Sequence, residues 1–181
     1  MNICKKFTDE EVLKLAIKNA SQTHGGVDIV QIACELGIEV ISITECDPYF
    51  NAAIKYYPEE KKFQISVNDS HSRNRVRFSI AHEIAHYVLH KNQIIKEGMM
   101  TRSSDENEIE EQADNLAGKI LIPDELLDEF TRRNNILKEK EITKDQLSWM
   151  SSHFRVSYIV AAIRLRNLGY KVPYISFSYV A

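Results

Sequence analysis

The sequence predicts an α+β fold in which two helices come first, a small antiparallel sheet follows, and further helices complete the chain. Three observations support this order. Apolar residues recur at helical spacing before residue 37, alternating β-branched and aromatic residues occupy much of residues 38–68, and helical spacing returns from about residue 72. Helices segregated from a short run of strands are typical of the α+β class.

The first two helices have recognisable ends. Thr8-Asp9-Glu10-Glu11 opens the first helix, and the glycine pair at 25–26 breaks it. Asp28 precedes the second helix, and Gly37 is placed to act as its C-cap.

The strands follow directly. The stretch IEVISIT, residues 38–44, is β-branched and alternating, which predicts one strand. Residues 51–68 predict two more strands around a turn at 58–61, with Phe63, Ile65 and Val67 on one face.

The remainder of the chain is predicted to be helical until its last residues. Helices are expected at about 72–90, 105–121, from 123 to the RRNN sequence at 132–135, 143–152 and 157–168, with a polar loop at 91–103 and a terminal strand at 173–180. We place one domain at residues 1–135 and a C-terminal helical segment, packed on it, at residues 136–181.

Composition points to a soluble cytoplasmic protein. The chain has 181 residues, 44% of them hydrophobic and 27% charged, and a net charge of −3, which gives no overall attraction to nucleic acid. The sequence shows neither a signal peptide nor a membrane-spanning run. Three widely spaced cysteines favour reduced thiols, and Cys34 is expected in the core.

The stretch FSIAHEIAHYVLH, residues 78–90, contains candidate metal ligands and a candidate general base. His82 and His86 are four residues apart, so on a helix they offer two imidazole nitrogens to one metal ion. Glu83 lies beside them and can act as a general base. Since a lone His-Glu-x-x-His match can arise on a helix that merely packs, a third ligand is required.

A catalytic zinc site uses three protein ligands and keeps one position open. A third histidine six residues after the second is absent, because that position is Asn92, and His90 lies a full turn past His86. A glutamate from the helix at 105–121 is the alternative: Glu110 borders its apolar face, and Asp114 one turn later can orient a histidine. Glu111 is the rival ligand.

These two stretches together resemble the ImmA/IrrE family of bacterial and phage metallopeptidases. RFSIAHEIAHYVLH matches the family's approach to His-Glu-x-x-His, and EEQADNLAGKILIP matches its second motif, with Leu116 and Ile120 as apolar replacements. The resemblance is firm over residues 75–123.

The resemblance implies a zincin-like fold with a gluzincin-type site. His82, His86 and Glu110 would bind the metal, Glu83 would be the general base, and Asp114 would hold a ligand histidine. It also implies a substrate: a helix-turn-helix repressor, often encoded nearby on a prophage or mobile element, whose cleavage switches on its genes.

The C-terminal segment leaves a second hypothesis open. Two predicted helices near a turn at 153–156, with Arg164 and Arg166 on the second, are compatible with a DNA-reading helix-turn-helix. The alternative is that these helices complete the core or dock a partner, and we prefer it because such a motif is weak by itself.

The sequence therefore predicts a cytoplasmic zinc metalloendopeptidase that cleaves a repressor. The competing class is a regulator that binds a repressor or DNA stoichiometrically without proteolysis. Two imidazoles and one carboxylate suit zinc best, although manganese and iron accept the same ligand set. No membrane partner is expected.

Overall fold

The computed structural model describes residues 6–21, 25–98 and 106–173. Within these ranges the chain forms seven helices and three strands in the predicted α+β order. The elements are α1 (Asp9–Lys18), α2 (Ile29–Glu35), β1 (Ile38–Ile43), β2 (Ala52–Tyr57), β3 (Lys62–Asn68), α3 (Arg73–Glu97), α4 (Glu106–Leu121), α5 (Asp124–Arg133), α6 (Lys144–Phe154) and α7 (Tyr158–Asn167).

The starts of both helices before the sheet and the end of α2 follow the sequence signals, whereas α1 ends at Lys18, earlier than the glycine pair at 25–26. Thr8 and Glu11 form a capping box at the start of α1, in which each side chain bonds the other residue's backbone N–H. The Asp28 side chain caps α2 by accepting from the backbone N–H of Gln31. Gly37 follows α2 with φ +76°, a left-handed conformation that glycine adopts without steric cost.

The sheet is mixed, not wholly antiparallel as predicted. β2 and β3 form the predicted antiparallel hairpin, but β3 lies in the middle and pairs with β1 in parallel, in the order β1-β3-β2. Alternation identifies strands without specifying their neighbours, so the sequence could not show that β1 pairs with β3. The predicted face of Phe63, Ile65 and Val67 is confirmed, since all three side chains are buried.

Helix α3 runs under the sheet and is longer than predicted. Ile80, Ile84 and Val88 are buried and form the face by which this helix packs into the core. The backbone at His90 leaves helical geometry (φ −121°, ψ 21°), but the helix resumes and continues to Glu97, where Gly98 ends it at φ +80°. The prediction ended the helix at this interruption and assigned the next turns to a loop.

The C-terminal helices form as predicted, and Arg164 takes the packing role of the preferred alternative, not a DNA-reading one. This residue is 2% exposed. Its guanidinium donates to the Ile122 carbonyl from Nε (3.3 Å) and Nη2 (3.1 Å) and pairs with Asp124. Arg164 therefore links α7 to the junction of α4 and α5. Because its guanidinium is buried, it is not available to contact DNA bases.

Two further sequence predictions need comment. Cys34 is exposed rather than in the core, because the buried face of α2 is formed by Ile29, Ile32 and Ala33. Residues 174–180 of the predicted terminal strand lie outside the described residues. The boundary at residues 135 and 136 stays a prediction. None of the described helices has the length and apolar character needed to cross a bilayer.

Candidate metal centre

His82 and His86 lie on one face of α3, as their spacing predicts. Their Nε2 atoms are 2.9 Å apart, and the two rings are nearly perpendicular. His86 is buried, whereas His82 is partly accessible. Two imidazole nitrogens of neighbouring turns therefore point at one position.

Glu110 on α4 completes the cluster. Its Oε2 lies 3.1 Å from Nε2 of His82, and its Oε1 lies 3.3 Å from Nε2 of His86. One ligand atom from each of the three residues lies within 4.8 Å of the other two. Glu111, the rival in the sequence, is exposed and is not part of this cluster.

Asp114 hydrogen-bonds the other ring nitrogen of His82, the one that does not face Glu110. Its Oδ1 lies 2.8 Å from Nδ1 of His82. Because a carboxylate only accepts hydrogen bonds, the proton of neutral His82 belongs on Nδ1, which leaves the Nε2 lone pair facing Glu110. Burial opposes protonation of His82, but the Asp114 hydrogen bond and the Glu83, Asp114 and Glu110 charges outweigh it and raise its pKa.

His86 is held in its neutral form. Burial, followed by the neighbouring charges of His82 and His90, lowers the pKa of His86 to about 3. A neutral imidazole is the form that ligates a metal. His86 and His82 thus present nitrogen lone pairs to the same position as the Glu110 carboxylate, so a divalent cation fits this donor set.

Glu83 lies beside the cluster but makes a different contact. Its side chain is 8% exposed. Its Oε2 accepts a 2.9 Å hydrogen bond from the backbone N–H of Ile54 on β2. Burial raises the pKa of Glu83 to about 7, against the His82 charge and the Ile54 hydrogen bond, which lower it. The hydrogen bond from the sheet thus fixes the direction of the Glu83 carboxyl. A pKa near neutrality allows this carboxyl to gain or lose a proton near neutral pH.

Sequence reasoning missed two contributors to this centre. The Ile54 N–H that orients Glu83 is a backbone group, and no side-chain pattern signals it. His90, rejected as a ligand, contacts the backbone of Ile109, so it joins α3 to α4 one residue before Glu110. The backbone of α3 is irregular at this same residue, His90.

Replacing Asp114 by Ala is expected to weaken metal binding by roughly 10- to 100-fold, the usual cost of losing a carboxylate behind a ligand histidine. Without Asp114, neither the ring direction nor the tautomer of His82 is fixed. Competitive titration with a chromogenic chelator measures the affinity. Asp114→Asn keeps a carbonyl acceptor and should recover part of the loss. Wild-type affinity in Asp114→Ala would show that this carboxylate is only a surface acid.

Both a family model and solved structures match this chain. The family model Peptidase_M78, described as the IrrE N-terminal-like domain, matches residues 35–166. Among solved structures, a Mycobacterium tuberculosis transcriptional regulator superposes with a TM-score of 0.58 at 16% identity.

That superposition covers 87% of this chain and 46% of the regulator, so the chain spans less than half the length of that protein. At this identity the likeness concerns the fold alone. Comparison with curated proteins finds no significant relative.

Proposed function

The chain belongs to the Peptidase_M78 family of IrrE N-terminal-like domains, and from this premise we propose that it is a zinc-dependent metalloendopeptidase. His82, His86 and Glu110 are the proposed metal ligands, Glu83 the general base, and Asp114 the residue that positions His82. The observation that carries the proposal is the convergence of two Nε2 atoms and one carboxylate within 4.8 Å, with a buried carboxyl of raised pKa next to them.

The proposed ligand set suits the reaction. His82, His86 and Glu110 would hold the zinc ion, which would supply Lewis acidity toward a carbonyl and would lower the pKa of water toward neutrality. Glu110 is exposed, so the open position would be accessible from its side. The buried His86 side would exclude solvent.

Glu83 performs the proton transfers in this proposal. The Ile54 N–H holds its Oε2, and its Oε1 makes no hydrogen bond to the described part of the chain. Oε1 therefore accepts a proton from the attacking water and passes it to the leaving amine. A divalent cation nearby favours the ionised carboxylate, which is the form a base requires.

We propose a helix-turn-helix transcriptional repressor as the substrate and the cytoplasm as the location. The support for this substrate is the motif resemblance at residues 75–123. Free thiols at Cys34 and Cys46 suit a reducing compartment.

The proposal is tested with a repressor encoded next to this gene as the substrate. Incubation of the two purified proteins with zinc should yield two repressor fragments, and pretreatment with a chelator should abolish them because the ligands then hold no metal. Electrophoresis and mass spectrometry measure the products. If the repressor is bound but stays intact with zinc present, the stoichiometric regulator is the correct alternative.

A further inference from the structure

A cavity of about 550 Å³ adjoins the candidate metal centre. Asp114 is part of its wall, and the same carboxylate bonds Nδ1 of His82 at 2.8 Å. Phe78, one turn before His82 on α3, lines it as well. The cavity therefore adjoins the cluster through Asp114 and Phe78, on the Nδ1 side of His82, while His82, Glu83, His86 and Glu110 themselves do not line it.

Three helices build this cavity, and one of them belongs to the C-terminal segment. On α4 the lining continues from Asp114 to Gly118, one turn later. On α7 it is formed by residues at one-turn spacing, Ile159, Ile163 and Asn167. The cavity would lack one wall without α7.

The lining combines an apolar surface with amide groups and with three charged side chains, Arg75, Asp114 and Arg164. Phe78, Val160 and Ile163 contribute apolar side chains, and Ile163 remains 39% exposed. Asn115 and Asn167 line the same cavity and bond each other across α4 and α7 at 3.2 Å. Pockets that bind organic ligands have this composition, with apolar walls for affinity and a few polar groups for orientation.

The wall formed by α7 is fixed in position. A Cβ at Gly118 would lie 3.0 Å from Cδ of Arg164, so glycine permits α7 to lie this close to α4. Arg164 then bonds the Ile122 carbonyl and Asp124. A rigid wall suits selection among side chains, because a mobile one would adapt to each of them.

We propose that this cavity is the specificity pocket of the enzyme, that it receives a large apolar side chain of the protein substrate close to the scissile bond, and that α7 selects that side chain. The inference rests on the proposed peptidase function. It gives the C-terminal helix a role in choosing the substrate. The volume accommodates a leucine or phenylalanine side chain together with adjoining backbone, for which the asparagine amides offer hydrogen bonds.

Peptide binding to a catalytically inactive chain tests the pocket. The zinc-loaded Glu83→Gln chain is titrated with short fluorescent peptide pools in which one position is fixed as Leu, Phe, Asp or Lys. Leu and Phe pools should bind about tenfold or more tighter than the Asp pool, the scale on which apolar pockets discriminate. Adding Ile163→Asp should abolish this preference and favour the Lys pool, because a second carboxylate then joins that of Asp114 in the wall.

The matched control is Val30→Asp, which alters a β-branched residue of α2 that is 50% exposed and does not line the cavity. It should leave the preference unchanged. Ile163→Trp provides a second variant, which fills the cavity without adding charge and should weaken Leu and Phe pools alone. Equal melting temperatures and zinc contents verify the fold. The pocket proposal is wrong if both Ile163 variants keep the preference for Leu and Phe pools. It is also wrong if the parent chain shows no such preference.

Cleavage by the active chain separates this proposal from the one it rests on. If the parent chain binds apolar pools selectively but the active chain cleaves none of them, the peptidase function fails and the pocket remains. If the active chain cleaves all pools at similar rates, the peptidase function stands and the pocket fails. With both correct, Ile163→Asp should raise KM for the Leu pool more than it lowers kcat.

Discussion

Glu110→Ala is expected to empty the metal centre, whereas Glu111→Ala leaves it filled. The purified wild-type chain should carry about one zinc per molecule, as an open three-ligand site implies. Removing the Glu110 carboxylate leaves only the two histidines of α3, and no other carboxylate of the described residues belongs to the cluster. His82→Ala and His86→Ala should each have the same effect. Elemental analysis after dialysis measures the zinc content.

The neighbouring glutamate makes the comparison selective. Glu110 and Glu111 are adjacent, both exposed, and on the same helix, so the two alanine variants should have a similar effect on helix stability and net charge. Loss of zinc in one and retention in the other then reflects coordination alone. Full zinc occupancy in Glu110→Ala would mean that another residue supplies the third ligand.

Helical geometry explains why sequence predicted so much of this centre. His82 and His86 are fixed relative to each other by a single turn of α3, and Glu110 and Asp114 by a single turn of α4. To predict that the two residues of each pair lie close together, it was enough to predict a helix. Bringing the two helices together required tertiary information, which came from the apolar face of α4 and from the motif resemblance. The structure joins the pairs through Glu110 at His82 and His86.

Other features depend on contacts between distant residues and left no local signal. The parallel pairing of β1 with β3 joins Ile38 to Phe63, although β2 lies between these two strands in the sequence. Arg164 looked like a surface cation because arginine is rarely buried without a partner. Its partners, the Ile122 carbonyl and Asp124, lie about forty residues earlier in the chain. The cavity wall on α7 likewise becomes visible only when three helices are assembled.

Glu83→Gln is expected to preserve the fold and the metal but to abolish proteolysis. Glutamine has nearly the same shape, and its side-chain oxygen can still accept the hydrogen bond from the Ile54 N–H that fixes Glu83. It cannot accept the proton of the attacking water or return it to the leaving amine. Loss of such a general base typically lowers the rate by about 10²- to 10⁴-fold. Repressor cleavage, zinc content and melting temperature are measured together.

A charge-matched control accompanies this variant, because removing any carboxylate alters the local field. Glu111→Gln makes the same chemical change on an exposed residue outside the cluster, and it should cleave the repressor at the wild-type rate. The surface that binds the repressor is unaltered in Glu83→Gln, so this variant should still capture its target. Introduced into the host, it should leave the repressed genes silent. If those genes are nevertheless switched on as in wild type, the protein acts by binding alone, and the cluster of His82, His86 and Glu110 has a structural or regulatory role instead of a proteolytic one.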